Sequence, residues 1–111
     1  MARSLNFNTI KKEYLTVTLP NKKTIMVGTP TNAIMKDLIS IQDSLDGVDE
    51  NTATAEDLDS LYLVCSKIMS RNKGGVTVTQ KDLEKDFDFE DIKIFLREYM
   101  KYMSEVMSSK N

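Results

Sequence analysis

Asp86, Asp88, Glu90 and Asp91 crowd residues 86–91, and two carboxylates in unlike environments are what general acid–base chemistry uses. Their position has a plainer meaning. They surround a predicted helix start, where negative charge complements the helix dipole, so no catalytic pair is assigned to them. Acidic residues from Asp43 to Asp59 invite a calcium loop. Setting Gly47 at the required loop glycine puts Gln42 first and Ala53 last, where acidic ligands are needed, and that excludes the loop. Gly74-Gly75 beside Arg71 and Lys73 resembles a phosphate cradle in composition. Neither the P-loop nor the dinucleotide-binding spacing surrounds it, so it reads as a helix-stop turn.

Cys65 is the single cysteine, which rules out an internal disulfide and a cysteine zinc cluster. It falls between Tyr62 and Ile68 on an apolar stripe, where a buried, inert thiol is expected. The chain contains no histidine, so Ser-His and Cys-His nucleophiles and histidine metal ligation are absent. No catalytic, cofactor-binding or metal residue is assigned, and binding of another protein becomes the expected role. Met100, Met103, Val106 and Met107 lie on one helical stripe. Simple core filling is the plainer reading of the methionines, but flexible thioethers also suit a surface that accepts varied apolar partners, so these four are the candidate protein-binding residues, with the second half of their helix expected to be exposed.

The elements that must position them are legible from periodicity. Leu15, Val17 and Leu19 alternate with Thr16 and Thr18, which predicts a strand. Pro20-Asn21-Lys22-Lys23 supplies turn chemistry, with asparagine tolerating the left-handed region, and Thr24 to Val27 returns as a second strand ending at Gly28. A hairpin alone is marginal in water, so its apolar face is expected to lie on the rest of the chain. Thr29-Pro30 reads as an N-cap with proline at the first helical position. A helix follows to about Leu45 through Ile34, Leu38 and Ile41, and Asp46-Gly47 is its stop.

After a polar linker from Val48 to Ala53, Thr54 and Asp57 have capping-box spacing before Leu58, Leu61, Tyr62, Cys65, Ile68 and Met69. Val76-Thr77-Val78 is either an extended connector or a small third strand against the hairpin. Thr79 with Asp82 opens a short helix containing Leu83. Asp88 with Asp91 opens the longest, carrying Ile92, Phe95, Leu96, Tyr99 and the four candidates, with Glu90 and Asp91 in its first turn and Lys101 and Lys110 towards its negative end. The expected fold is mainly α with a small β component. Residues 1–111 form one domain, with 1–12 a flexible arm, 13–28 the hairpin and 29–108 helical.

Composition sets the remaining bounds. The chain has 111 residues, 41% of them hydrophobic and 29% charged, which is one globular core's worth of sequence. Lys+Arg 15 against Asp+Glu 17 gives a formal net charge of -2 and a pI near 5.1. No overall positive field attracts phosphate backbones. A helix-turn-helix could be imagined at the helix starts Thr79 and Asp88, but Phe89, Glu90 and Asp91 would then enter the major groove and set carboxylates against phosphates. Nucleic acid is therefore not an expected partner. Arg3, Lys11, Lys12, Lys22 and Lys23 face only Glu13 among residues 1–30, an uneven distribution read as a solvated hairpin. No secretory h-region and no apolar run of about eighteen residues is present, so neither export by that route nor membrane insertion is expected.

In their order, the hairpin from Leu15 to Val27, the helices Ile34 to Leu45 and Leu58 to Met69, the Gly-Gly link with Val76 to Thr79, and the Asp82-Leu83 to Phe95-Leu96 region carry a resemblance. Over roughly Glu13 to Met107 the chain resembles the tail assembly chaperones of long-tailed phages (siphoviruses) and prophages of Gram-positive bacteria. The resemblance is one of layout, so no functional residue is carried over by it. It implies a non-enzymatic, cofactor-free protein of the host cytoplasm, absent from the mature virion. Such a protein binds the tape measure protein, assists assembly of the major tail tube protein around it, and self-associates. The alternative is a small phage or bacterial regulatory or adaptor module, including a weak nucleic-acid binder.

Overall fold

The computed structural model describes residues 13–45 and 51–108. The expected arm at 1–12, the stop at Asp46-Gly47, the first part of the linker from Val48 and the charge of Lys110 lie outside the described residues. The chain runs β1 (Leu15–Thr18), β2 (Thr24–Val27), α1 (Asn32–Leu45), α2 (Ala55–Ser70), α3 (Gln80–Asp86) and α4 (Phe89–Ser108). This is the expected α+β fold, a hairpin followed by helices.

β1 and β2 pair antiparallel with Leu15 opposite Val27, Thr16 opposite Met26, Val17 opposite Ile25 and Thr18 opposite Thr24. The turn is closed by the Leu19 N–H to the Lys23 carbonyl and the Lys22 N–H to the Leu19 carbonyl, both at 2.8 Å. That is the pattern of a three-residue hairpin loop with a bulge. The left-handed residue is Lys22, with φ 71°, and not Asn21. The asparagine is used otherwise: its Oδ1 accepts the Lys23 N–H at 3.0 Å, the side-chain turn that asparagine favours.

Local capping chemistry sets three helix starts. Thr54 with Asp57 and Thr79 with Asp82 form complete capping boxes, and Asp88 with Asp91 exchanges the same pair of bonds at the head of α4. α1 begins later than its sequence suggests. Thr31, not Thr29, holds the Ile34 N–H at 3.3 Å. Thr29 is engaged elsewhere, its carbonyl accepting Arg71 Nε at 2.6 Å. The last turn of α4 carries no basic residue among those described.

The hairpin does gain a backbone neighbour, but it is not Val76-Thr77-Val78. The chain leaving α2 bridges β2 instead, with Val27 opposite Asn72, the Gly28 N–H on the Arg71 carbonyl at 3.0 Å and the Lys73 N–H on the Met26 carbonyl at 2.9 Å. Asn72 then folds the chain back on itself, its amide spanning the Met69 and Val76 carbonyls at 2.7 Å each. Gly75 completes the turn with φ +69°, a conformation that glycine adopts without strain. Residues 76–78 are the extended connector, anchored where Ser70 Oγ meets both the N–H and the carbonyl of Val78 at 2.9 Å.

The buried apolar residues join in one cluster: Ile25 and Val27 from β2, Ile34, Leu38 and Ile41 from α1, the inner face of α2, Val78, Leu83, and the α4 stripe from Ile92 to Val106. Leu15, Val17 and Leu19 pack against it only partly buried. The hairpin therefore lies on the helices by its β2 side. The Asp37–Lys67 ion pair between α1 and α2, at 3.2 Å, is about half exposed at both ends and contributes little to stability.

Candidate protein-binding surfaces

The four residues proposed from the sequence do not form an open stripe. Met103 is 5% and Val106 8% exposed, and both belong to the core, while Met100 is half-buried against it. The Met107 side chain lies outside the described residues. The expectation that the second half of α4 is bare is corrected at Met103 and Val106. The stripe at i, i+3 and i+4 continues past Tyr99 without a break, and the core continues beneath it.

What anchors α4 is a row of aromatics. The Phe95 and Tyr99 rings stack with centroids 5.8 Å apart, and Tyr99 and Tyr102 follow at 5.7 Å. Tyr99 is fully buried, and its hydroxyl donates to the Gly28 carbonyl at 2.9 Å. Tyr102 donates to the Glu13 carbonyl at 2.7 Å, and Tyr62 on α2 to the Phe87 carbonyl at 2.7 Å. Three phenols thus fasten three non-helical stretches: the lead-in to β1, the exit from β2 and the α3–α4 junction. Burial pushes the hydroxyls of Tyr62, Tyr99 and Tyr102 above the usual phenol range, because a phenolate would lose its water. Sequence reasoning counted Tyr62 and Tyr99 only as apolar surface and passed over Tyr102. The i, i+3 repeat of tyrosine on an apolar stripe was the available signal, since a buried hydroxyl requires a partner.

Cys65 is fully buried, and burial raises its thiol well above the ordinary value. It is a packing residue, as expected, and its thiolate is suppressed. Among the described residues no group of acidic side chains and cysteine could hold a metal ion, and no helix is long and apolar enough to cross a membrane. Asp91 Oδ2 and Asp88 Oδ1 each accept one backbone N–H in the α4 cap.

An open concavity lies elsewhere, along β1. A groove of about 470 Å³ runs between that strand and the first half of α4, lined by Leu15 to Thr18, Pro20, Phe87, Asp91, Ile94, Phe95 and Glu98. A groove against one face of a strand would touch alternate residues, because successive side chains point to opposite faces. This one touches all four residues of β1, so it follows the strand's edge. The hydrogen-bond register agrees. In antiparallel pairs, residues alternately bond to the partner strand and turn their backbone groups outward. Leu19 bonds to Lys23 across the turn, and Met26 gives its carbonyl to Lys73 outside the hairpin. Leu15, Val17 and Leu19 therefore face β2 with their backbone groups, and Thr16 and Thr18 turn theirs outward along the groove. On the α4 wall, Asp91, Ile94 and Glu98 are exposed at i, i+3 and i+7, a single flank of the helix. Ile94 keeps 43% of its surface open. Comparison with protein-family models, curated proteins and solved structures finds no match for this chain.

Proposed function

We propose that this protein is a non-enzymatic binder of other proteins, and specifically a tail assembly chaperone of a long-tailed phage or prophage. On this reading it holds the tape measure protein in the host cytoplasm while the major tail tube protein assembles around it. It acts as an oligomer, without a cofactor, and stays out of the finished virion. The order of hairpin, helices and Gly-Gly turn supports this reading through the layout that the resemblance rests on. The observation that carries it is the open groove beside a strand edge without a backbone partner among the described residues, a surface suited to holding polypeptide. Met100, Met103, Val106 and Met107 are not needed for it as a free stripe.

The alternative, a regulatory or adaptor module, uses the same surface for a different client. Its nucleic-acid form is disfavoured by the exposed carboxylates Glu90 and Asp91 at the start of α4, which would oppose phosphates. Locating the gene and co-expressing this chain with any tape measure protein encoded beside it is the test. The chaperone reading expects the client to move into the soluble fraction and to co-purify. A client that remains insoluble and does not co-purify, or a gene lying away from any tail tube and tape measure genes, overturns it. Salt-sensitive retention on DNA would favour the nucleic-acid alternative.

A further inference from the structure

The groove along β1 has the features of a built docking site for a strand. Thr16 and Thr18 present their N–H and C=O groups along it, and among the described residues no backbone group bonds to them across that edge. Such an edge is a template for a further strand. The apolar wall consists of Phe87, Ile94 and Phe95, and the charge on it is uniformly negative, from Asp91 and Glu98. Among the described residues neither carboxylate has a lysine or arginine partner, since the ion pair there joins Lys67 to Asp37.

Dimensions and charge select the occupant. Four strand residues span about 13 Å, and α4 from Asp91 to Glu98 spans about 10 Å. The two walls are thus commensurate over a short extended segment. A docked helix satisfies its own backbone and would leave the Thr16 and Thr18 groups unmet. A second copy pairing β1 to β1 would bring its own Asp91 and Glu98 against the first pair, and like charges set together oppose association. We propose that the groove between β1 and α4 takes an extended segment of a partner protein in which apolar residues alternate with lysine or arginine. Its backbone pairs with Thr16 and Thr18, its apolar side chains meet Ile94 and Phe95, and its cations meet Asp91 and Glu98. This inference concerns the groove alone and holds whether or not the partner is a tape measure protein.

Fluorescence anisotropy on the full chain tests it, with a short labelled peptide that alternates valine and lysine. One counterpart replaces lysine by glutamate, and two others are N-methylated at one or the other set of alternate amides. The lysine peptide is expected to bind saturably, and the glutamate version at least about tenfold more weakly. Methylating one set of amides abolishes binding, while the other set tolerates it, because only one set faces the edge. Glu98→Lys reduces affinity about tenfold. Thr16→Pro abolishes binding while melting near wild type, since an edge strand accepts proline where its N–H points outward. Should Thr16→Pro unfold, the methylated peptides still decide the question. Equal binding of lysine and glutamate peptides, tolerance of both methylated sets, or no saturable binding overturns the proposal. Binding that appears only after deletion of residues 1–12 gives the groove to the chain's own leader. A dimer seen by light scattering and dissociated by the peptide gives it to a second copy, and either result also overturns the proposal.

Discussion

The two edges of the hairpin carry similar residues and meet different fates. On the β2 side, Ile25 and Val27 are buried, the Met26 carbonyl and Gly28 N–H are bonded to the chain leaving α2, and the Gly28 carbonyl is taken by Tyr99. On the β1 side, Leu15 and Val17 are half-buried, and the backbone groups of Thr16 and Thr18 open onto a groove. Strand propensity does not distinguish LTVT from TIMV, since three of the four residues in each are β-branched. The difference comes from what lies beside each strand. One edge received residues 71–73 as a neighbour, and the other has no backbone neighbour among the described residues.

The sharpest way to break this contrast is to place the same charge on both strands. Val27→Asp puts an unpaired carboxylate where the side chain is 0% exposed, and is expected to cost about 3–5 kcal/mol, enough to unfold a typical marginal domain. Val17→Asp, half in solvent, should cost only about 1–2 kcal/mol, mostly lost apolar contact. Denaturant titration of the two variants measures the difference, and equal losses would mean that the β1 face is as sealed as the β2 face.

A smaller effect is expected from removing one hydroxyl. Tyr99→Phe leaves the carbonyl of the buried Gly28 without its donor and should cost about 1–3 kcal/mol. Tyr102→Phe frees the carbonyl of the exposed Glu13, which water can reach, and should cost about 0.5–1 kcal/mol. The reverse order in a melting comparison would dissolve the distinction between a closed β2 exit and an open β1 entrance.

The same phenols predict a pH response. Their folded-state values and that of Cys65 are raised, by burial first. The neutral forms therefore bind to the fold, and this stability is complete below the unfolded values of about 8.5–10. It is lost as pH rises through that range, because the unfolded chain then releases protons that the folded one retains. Wild-type stability measured from pH 8 to 11 should decline, with a shallower decline for Tyr99→Phe. Identical slopes would show that Tyr99 ionises as freely folded as unfolded.

The smallest effect lies at the tip joining the two strands. Lys22 holds φ 71°, which costs a side-chain-bearing residue about 1–2 kcal/mol, and glycine recovers most of this while losing some through its freer unfolded state. Lys22→Gly should therefore gain about 0.5 kcal/mol. A loss of stability would mean that the loop relaxes to another turn.

Several features were legible because their causes lie within a few residues. The alternation of Leu15, Val17 and Leu19 marks a strand, and Thr54 with Asp57, Thr79 with Asp82 and Asp88 with Asp91 mark helix starts. In each box the two side chains bond to backbone groups only three residues away. The burial of Cys65 followed from its place between Tyr62 and Ile68. The misread positions have distant causes. Thr29 lost the cap of α1 to Thr31 while its carbonyl met Arg71, 42 residues on. Asn72, with no strand signal of its own, took the place beside β2 considered for Val76 to Val78. Met103 and Val106 were judged too far along α4 to be covered, and the core reached them.

From the sequence alone came the order of the elements, the capping chemistry, the inert cysteine and the absence of histidine with all the chemistry that histidine supports. These depend on residue type and on spacings within a turn or two of the chain. Tertiary structure alone decided which hairpin edge would be closed, that Tyr99 would hold Gly28 across 71 residues, and that Asp91, Ile94 and Glu98 would stand opposite β1. Periodicity states which face of a helix is apolar, but not which strand it meets. A groove exists only between two surfaces, and the chain's own packing fixes the second one.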